Sequence, residues 1–446
     1  MTTLRLPTLS RCTTAIAAVL LASIPFYAFL TVWASTVAGH YTLLRLYPEV
    51  LLTGAMACAS VQLVRNPSLR QHLLNSVIFR VALAYLALVL ALGLVASVKH
   101  EVTTKALFYG VLVDVRFLAW FFVAWVIASS SPWLGRYWRP VVLWPLAAVA
   151  VFAVLQFFAL PANFLHHFGY QKGSTIESFQ TINQNSSTIR AQSFLRGPNP
   201  LGAYLVLGLT LLAGLVRSKH RARRYGTLAV VGVVALVVTF SRSAWIGLAV
   251  AVAALIGMRL QSRRARLIGT VVGLLCVLVA GAGFLVLRHS RGVQDAVLHV
   301  SSNSTAVQTS NAGHLTAFRS GVQDLVRQPF GRGPGTAGPA SVYNGAHGSR
   351  NSESYFLQLG QEFGWAGLLL FVAINVFLAG ELWRRRQQPL ALGLLCALVG
   401  LTIVNQLSYA WTDPTLAYLW WGLAGIALAV PPLPLEKPVA LPSRKR

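Results

Sequence analysis

The chain has 446 residues, of which 55% are hydrophobic and only 11% charged. A soluble domain carries about 25% charged residues, so this composition excludes a chain that covers a water-facing surface with polar groups. The net charge of +26, from 37 Lys+Arg against 11 Asp+Glu, would suggest nucleic acid in a soluble protein. Here most basic residues sit in short clusters between apolar blocks, where they fix membrane topology, and no nucleic-acid partner is expected. Arg5 and Arg11 precede a first apolar run from Thr14 to about Ala34. It is long for a signal peptide and lacks a convincing cleavage site, so it reads as a retained helix.

Further blocks of bilayer-spanning length follow at about 46–64, 77–97, 106–128, 141–160, 200–216, 226–240, 244–259, 267–287, 364–383, 389–407 and 415–430. The expected fold is an all-α integral membrane protein of about twelve transmembrane helices, a single polytopic domain over 1–446. Basic clusters at Arg65 and Arg70, Arg136 and Arg139, Arg217–Arg224, Arg259–Arg266, Arg384–Arg386 and Lys437–Arg446 fall on one side if the helices alternate. By the positive-inside rule that side is the cytoplasm, and both termini lie there.

Two long connections then face outward, 161–199 and 288–363, the second between helices 9 and 10. Loops of this length in a compact protein are usually functional or disordered. Within the second, Leu315, Phe318, Val322, Leu325 and Val326 recur at helical spacing up to Pro329. They predict an amphipathic helix at about 312–328, on the membrane surface or over the bundle. Cys12, Cys58, Cys276 and Cys396 include no pair with metal-ligand spacing. Neither a disulfide nor a metal is expected, and no cofactor is called for.

Candidate chemistry lies in the outward arginines. Arg190 and Arg196 end the first long loop, and Arg242 sits in the turn Thr239-Phe240-Ser241-Arg242-Ser243. Guanidinium groups bind phosphate oxygens in pairs of hydrogen bonds and stay charged, so an anion site is one reading; snorkelling of Arg242 to the interface is another. Asp114 and Arg116 lie inside an apolar block, where ionisable groups mark function or pair with one another. Two residues apart they face different sides of a helix, so each needs a partner on another helix. No clustered outward carboxylates occur to hold a divalent ion on a diphosphate.

The segments Pro329-Phe330-Gly331-Arg332-Gly333-Pro334-Gly335-Thr336 and Ser352–Gly367 resemble the O-antigen ligase/polymerase superfamily, in its P-[LF]-G-x-G-x-G-T and E-x-G-x-x-G patterns. Thr239–Arg242 is similar to that family's T-x-S-R turn, and Arg190 through Asn199 to its R…P-N segment. The resemblance implies a metal-independent inverting glycosyltransferase in a bacterial inner membrane, with its site on the outer face. It would move a glycan from undecaprenyl diphosphate to the hydroxyl of a glycan or lipid-anchored acceptor, with membrane lipids as further partners. It also implies that Arg190 and Arg242 hold the diphosphate, with Arg196, Arg319, Arg332, Asp114 and Arg116 as accessory candidates. The family's proposed base is a histidine in H-[NSR]-x9-G-x-x-[GTY]. Here that position is Glu353, while Ser354, Gly364 and Gly367 keep the spacing. Glu353 is therefore the catalytic candidate; its alternative is a carboxylate stabilising a helix N-terminus. The change from histidine favours polymerisation of lipid-linked units over ligation to lipid A–core. A lipid-linked saccharide transporter is the rival from another class, against which stands the absence of an internal repeat.

Overall fold

The computed structural model describes residues 6–182, 185–260 and 305–430. It is 79% helical, which the apolar composition requires: only helices or closed barrels satisfy every backbone group inside lipid. The helices are α1 Leu6–Ser23, α2 Tyr27–Ala38, α3 Tyr41–Leu44, α4 Tyr47–Arg65, α5 Pro67–Asn75, α6 Val77–Val98, α7 Thr104–Ser130 and α8 Trp133–Phe158. After a hairpin of β1 Gln180–Ile182 and β2 Asn185–Arg190 come α9 Pro198–Leu215, α10 Lys219–Val237, α11 Arg242–Arg259 and α12 Thr305–Arg327. The chain finishes with α13 Tyr355–Arg384, α14 Pro389–Gln406 and α15 Pro414–Ala429.

Nine helical stretches among the described residues are long and apolar enough to span a membrane, α1 and α2 counting as one across the turn Ile24–Phe26. The apolar α15 is shorter, and α10 carries the basic cluster in its first turns. The block expected at 267–287 lies outside the described residues, as do 288–304 of the second long loop.

Local chemistry sets the helix starts. Proline opens α5, α9, α14 and α15, where its missing N–H is not needed. Side chains of Asn66, Thr103, Ser218, Ser354 and Asp413 accept hydrogen bonds from first-turn N–H groups of α5, α7, α10, α13 and α15, satisfying donors that the helix leaves open.

The most buried helices are α9, α14 and α15, packed with α7. Small residues set these crossings, as expected where lipid gives no hydrophobic drive between helices. Gly422 and Gly425 of α15 face Trp120 and the Phe121 carbonyl of α7. The Trp120 indole N–H donates to the Tyr418 carbonyl at 2.7 Å. Gly400 of α14 meets the Gly247 carbonyl of α11 so closely that a Cβ there would overlap it. Gly400→Val should therefore lower stability by about 1–3 kcal/mol. Thermal unfolding of the purified protein checks this, and an unchanged midpoint would remove the crossing as a packing constraint.

Candidate functional site

The first long loop is not irregular throughout. It contains the turn Phe164–Phe168 and the β1–β2 hairpin, in which Gln180 pairs with Arg190. Arg190 is held from several directions. The next residue, Ala191, donates its N–H to the Val238 carbonyl at the end of α10, at 3.0 Å. Beyond it, the Gln192 and Ser193 N–H groups donate to the buried Gln156 side chain of α8, at 3.1 and 2.7 Å. The Arg190 guanidinium then reaches into the α10–α11 turn. Its Nε donates to the Thr239 carbonyl at 2.9 Å and its Nη2 to the Asn199 Oδ1 at 2.7 Å.

Arg242, the first residue of α11, follows that same turn, and its charge bears on Arg190. The turn is fixed by Thr239, whose hydroxyl donates to the Leu236 carbonyl and accepts the Ser241 N–H. The structure thus brings Arg190 and Arg242 together, although 52 positions separate them (242 − 190). Among the described residues, the hydrogen bonds of Arg190 go to neutral oxygens. Burial first, and then Arg242, push its pKa down to about 10. It stays a cation at neutral pH.

Glu353 sits just before the cap of α13. It is not in the helix's first turn. Its backbone is left-handed, with φ 55°, a conformation uncommon outside glycine. The Asn351 side chain accepts its N–H at 3.0 Å. The flanking chain is tied to the end of α14. The Tyr355 N–H donates to the Ser408 carbonyl at 3.0 Å, and the Ser354 hydroxyl donates to the Asn405 carbonyl at 3.5 Å. Because Gly247, early in α11, packs on Gly400 and Val404 of α14, Arg242 and Glu353 lie at the same end of the bundle.

The glycine-rich loop 329–336 threads between α6, α7 and a kink in α13. The kink is at Gly364, with φ 63° and ψ −163°. A side chain there would overlap the Pro329 carbonyl. At Gly335, φ is 82°, and a Cβ would overlap the Ala106 carbonyl of α7. Glu362 fastens the two parts. Its backbone carbonyl accepts the Gly333 N–H at 2.7 Å. Its Oε1 accepts the Gly335 N–H at 2.7 Å and the Ala337 N–H at 3.4 Å, and its Oε2 accepts the Gln358 amide at 3.2 Å. Asp114 of α7 lies within side-chain hydrogen-bonding reach of Glu362, and both are 0% exposed.

The accessory candidates separate by place. Arg116 pairs with Glu49 of α4 at 2.7 Å and donates to the Thr412 carbonyl at 2.7 Å. It is a neutralised pair inside the bundle. Arg332 engages the Gln328 side chain and lies 3.7 Å from Asp324, both at the end of α12. Arg319 and Arg327 are exposed on α12. Arg196 is half-buried, and its charge bears on Tyr27 and Tyr41 of α2 and α3. Sequence reasoning missed Glu49, Arg45 and the fastening role of Glu362. The signal for Glu49 was present, as a lone acid beside an apolar block.

Removing the Glu362 carboxylate strands the N–H groups of Gly335 and Ala337, at about 1–3 kcal/mol each. Glu362→Ala should lower stability by about that much, and Glu362→Gln, which keeps an acceptor and adds a donor toward Asp114, should recover most of it. Thermal unfolding of both variants decides; an alanine variant as stable as the parent would refute the fastening.

Residues 227–372 match the family described as O-Antigen ligase. No curated protein matches the chain closely enough to count as a relative. The matched stretch contains the Arg242 turn, the glycine-rich loop, Glu353 and Glu362, while Arg190 lies before it. That stretch, about a third of the chain, is similar to the O-antigen ligase domain, which supports the likeness to the O-antigen ligase/polymerase superfamily.

Proposed function

We propose that this protein is a membrane glycosyltransferase that takes a glycan from undecaprenyl diphosphate and extends it on a second lipid-linked glycan, on the outer face of a bacterial inner membrane. The observation that carries the reading is the pairing of Arg190 with the turn that leads into Arg242. Two cations held side by side, one bonded only to neutral oxygens, form a site whose complement is a doubly charged oxyanion. A diphosphate leaving group fits it and needs charge stabilisation more than a proton. Fixed guanidinium groups in a water-poor setting supply that at no reorganisation cost.

In the step itself the acceptor hydroxyl oxygen attacks the anomeric carbon from the face opposite the diphosphate. The carbon–oxygen bond to phosphate breaks, the configuration inverts, and the diphosphate leaves with both electrons onto Arg190 and Arg242. Glu353 takes the hydroxyl proton. Its left-handed backbone, set between Asn351 and the α13 cap, is a constraint of the sort that clusters at functional sites. No step calls for a metal. Ligation to a separate acceptor is the second reading, favoured by the description of the matched family; glutamate at 353 in place of the family's histidine favours polymerisation.

Purified protein given undecaprenyl-diphosphate oligosaccharide alone should give a ladder of products. Product only after a second acceptor is added would establish ligation, and unchanged donor in both would refute transfer. Glu353→Gln should abolish the ladder while donor binding stays within about twofold, and a fully active variant would remove Glu353 as the base. Arg242→Ala should weaken binding of pyrophosphate and donor about 10–100-fold, the loss of a charge-assisted contact, with Arg242→Lys recovering part. Affinity should be flat around neutral pH and fall as pH rises toward about 10, where Arg190 loses its proton. Unchanged affinity in both Arg242 variants would exclude it from the site.

A further inference from the structure

A second pair of cations, Arg45 and Arg196, bears on the tyrosines beside α2 and α3. Arg45 sits where α3 turns into α4. Its guanidinium is 5.7 Å from the centre of the Tyr41 ring, and its carbonyl accepts the Tyr27 hydroxyl at 3.2 Å. Arg196 arrives from the first long loop. Phe194, two residues earlier, stacks on Phe152 with ring centres 4.4 Å apart and packs on Phe26 and Phe29 at 5.2 Å. The Phe29 N–H also donates to the Phe194 carbonyl at 3.3 Å. The loop is thereby locked to α2, and the charges of Arg45 and Arg196 both bear on Tyr27 and Tyr41. Tyr109 and Tyr343 border the same place, edge to face with ring centres 5.6 Å apart.

Arg45 and Arg196 are half-buried, as are Tyr41, Tyr109 and Tyr343. Among the described residues no carboxylate forms an ion pair with either arginine. Arg116 below them differs, because Glu49 neutralises it. Half-buried cations without acids are costly unless something else completes them, and the natural complement is an oxyanion. The tyrosines narrow the class. Their ring faces are flat and apolar and their edges carry hydroxyls, which matches a sugar ring with one C–H face and a polar rim. A bare phosphate would leave those faces unused.

We propose that Arg45 and Arg196, framed by Tyr27, Tyr41, Tyr109 and Tyr343, bind the acid group of an anionic sugar residue at a subsite separate from Arg190 and Arg242. Carboxylate and phosphate both fit, since guanidinium binds both. Only the inclusion of that sugar in the transferred or accepting glycan rests on the transferase reading. Charge and aromatic lining stand without it. The distinction is electrostatic: the charge of Arg242 bears on Arg190, while those of Arg45, Arg196 and Arg116 bear on Tyr27.

The full chain, purified in nanodiscs, is titrated with four probes. They are a tetrasaccharide alternating glucuronate and N-acetylglucosamine, a 6-phosphorylated N-acetylglucosamine disaccharide, the neutral N-acetylglucosamine tetrasaccharide, and inorganic pyrophosphate. At least one acidic saccharide should bind at least about tenfold more tightly than the neutral one, and which does so identifies the acid. Arg45→Gln and Arg196→Gln should each weaken it about 10–100-fold, as for a hydrogen bond to a charged group, with Arg45→Lys recovering part. Arg190→Gln should leave acidic-saccharide binding unchanged and weaken pyrophosphate. Equal binding of acidic and neutral saccharides, or retention of the preference in the Arg45→Gln/Arg196→Gln double variant, overturns the proposal. Loss of pyrophosphate affinity in the Arg45 and Arg196 variants overturns it too, by placing both arginines with the diphosphate. Unchanged pyrophosphate affinity in Arg190→Gln counts against the diphosphate site alone and leaves the saccharide subsite standing.

Discussion

A carboxylate buried in a membrane protein must find donors, and Glu362 finds them in the backbone of a loop 25 and more positions away. Its Oε1 takes the Gly335 and Ala337 N–H groups, and its Oε2 takes the Gln358 amide. The glycine-rich loop has no regular structure to satisfy those N–H groups itself. One side chain therefore joins the loop, the kink at Gly364 and, through Asp114, helix α7. The first half of α13 is pinned at this end by Glu362 and at the other by Tyr355 and Ser354 on the end of α14. The left-handed turn at Glu353 lies just beyond that second anchor. It can persist because both flanks are fixed.

Helix α7 solves two burial problems within one turn. Asp114 faces α13, where the charge of Glu362 bears on it; Arg116 faces α4 and pairs with Glu49. Two residues on a helix are about 200° apart, so the two groups cannot meet, and each addresses a different helix. The result is a polar layer across the bundle, joining α4, α7 and α13. The Arg116 bond to the Thr412 carbonyl extends it to the start of α15.

Most of the helices were legible because lipid demands long apolar runs and tolerates charge only between them. Eleven of the anticipated blocks coincide with described helices, and their starts follow prolines and capping side chains close at hand in sequence. What was not legible depended on contacts across long separations. Nothing local to Arg190 announces that its partner is the Thr239 carbonyl. Nothing local to Phe194 announces that it will carry Arg196 to α2. The hairpin 180–190 has a polar sequence, Gln-Thr-Ile followed after a gap by Asn-Ser-Ser-Thr-Ile-Arg, with no alternating apolar face to betray it. Glu362 stood in a recognisable pattern, yet the pattern does not say that its carboxylate serves the loop backbone.

The choice of arginine at position 190 follows from its surroundings. Burial and the neighbouring Arg242 both disfavour its charge and bring its pKa down to about 10. Because a guanidinium starts far above neutrality, the group keeps its proton at neutral pH. A lysine starts from about 10.4, so the same surroundings would leave its charge less secure. The planar guanidinium also spends two nitrogens on the Thr239 carbonyl and the Asn199 side chain and retains a third, Nη1, with donors to spare. A lysine ammonium with the same two bonds would have one donor left on the same small head. Two adjacent cations therefore persist only where both residue type and backbone anchoring permit it.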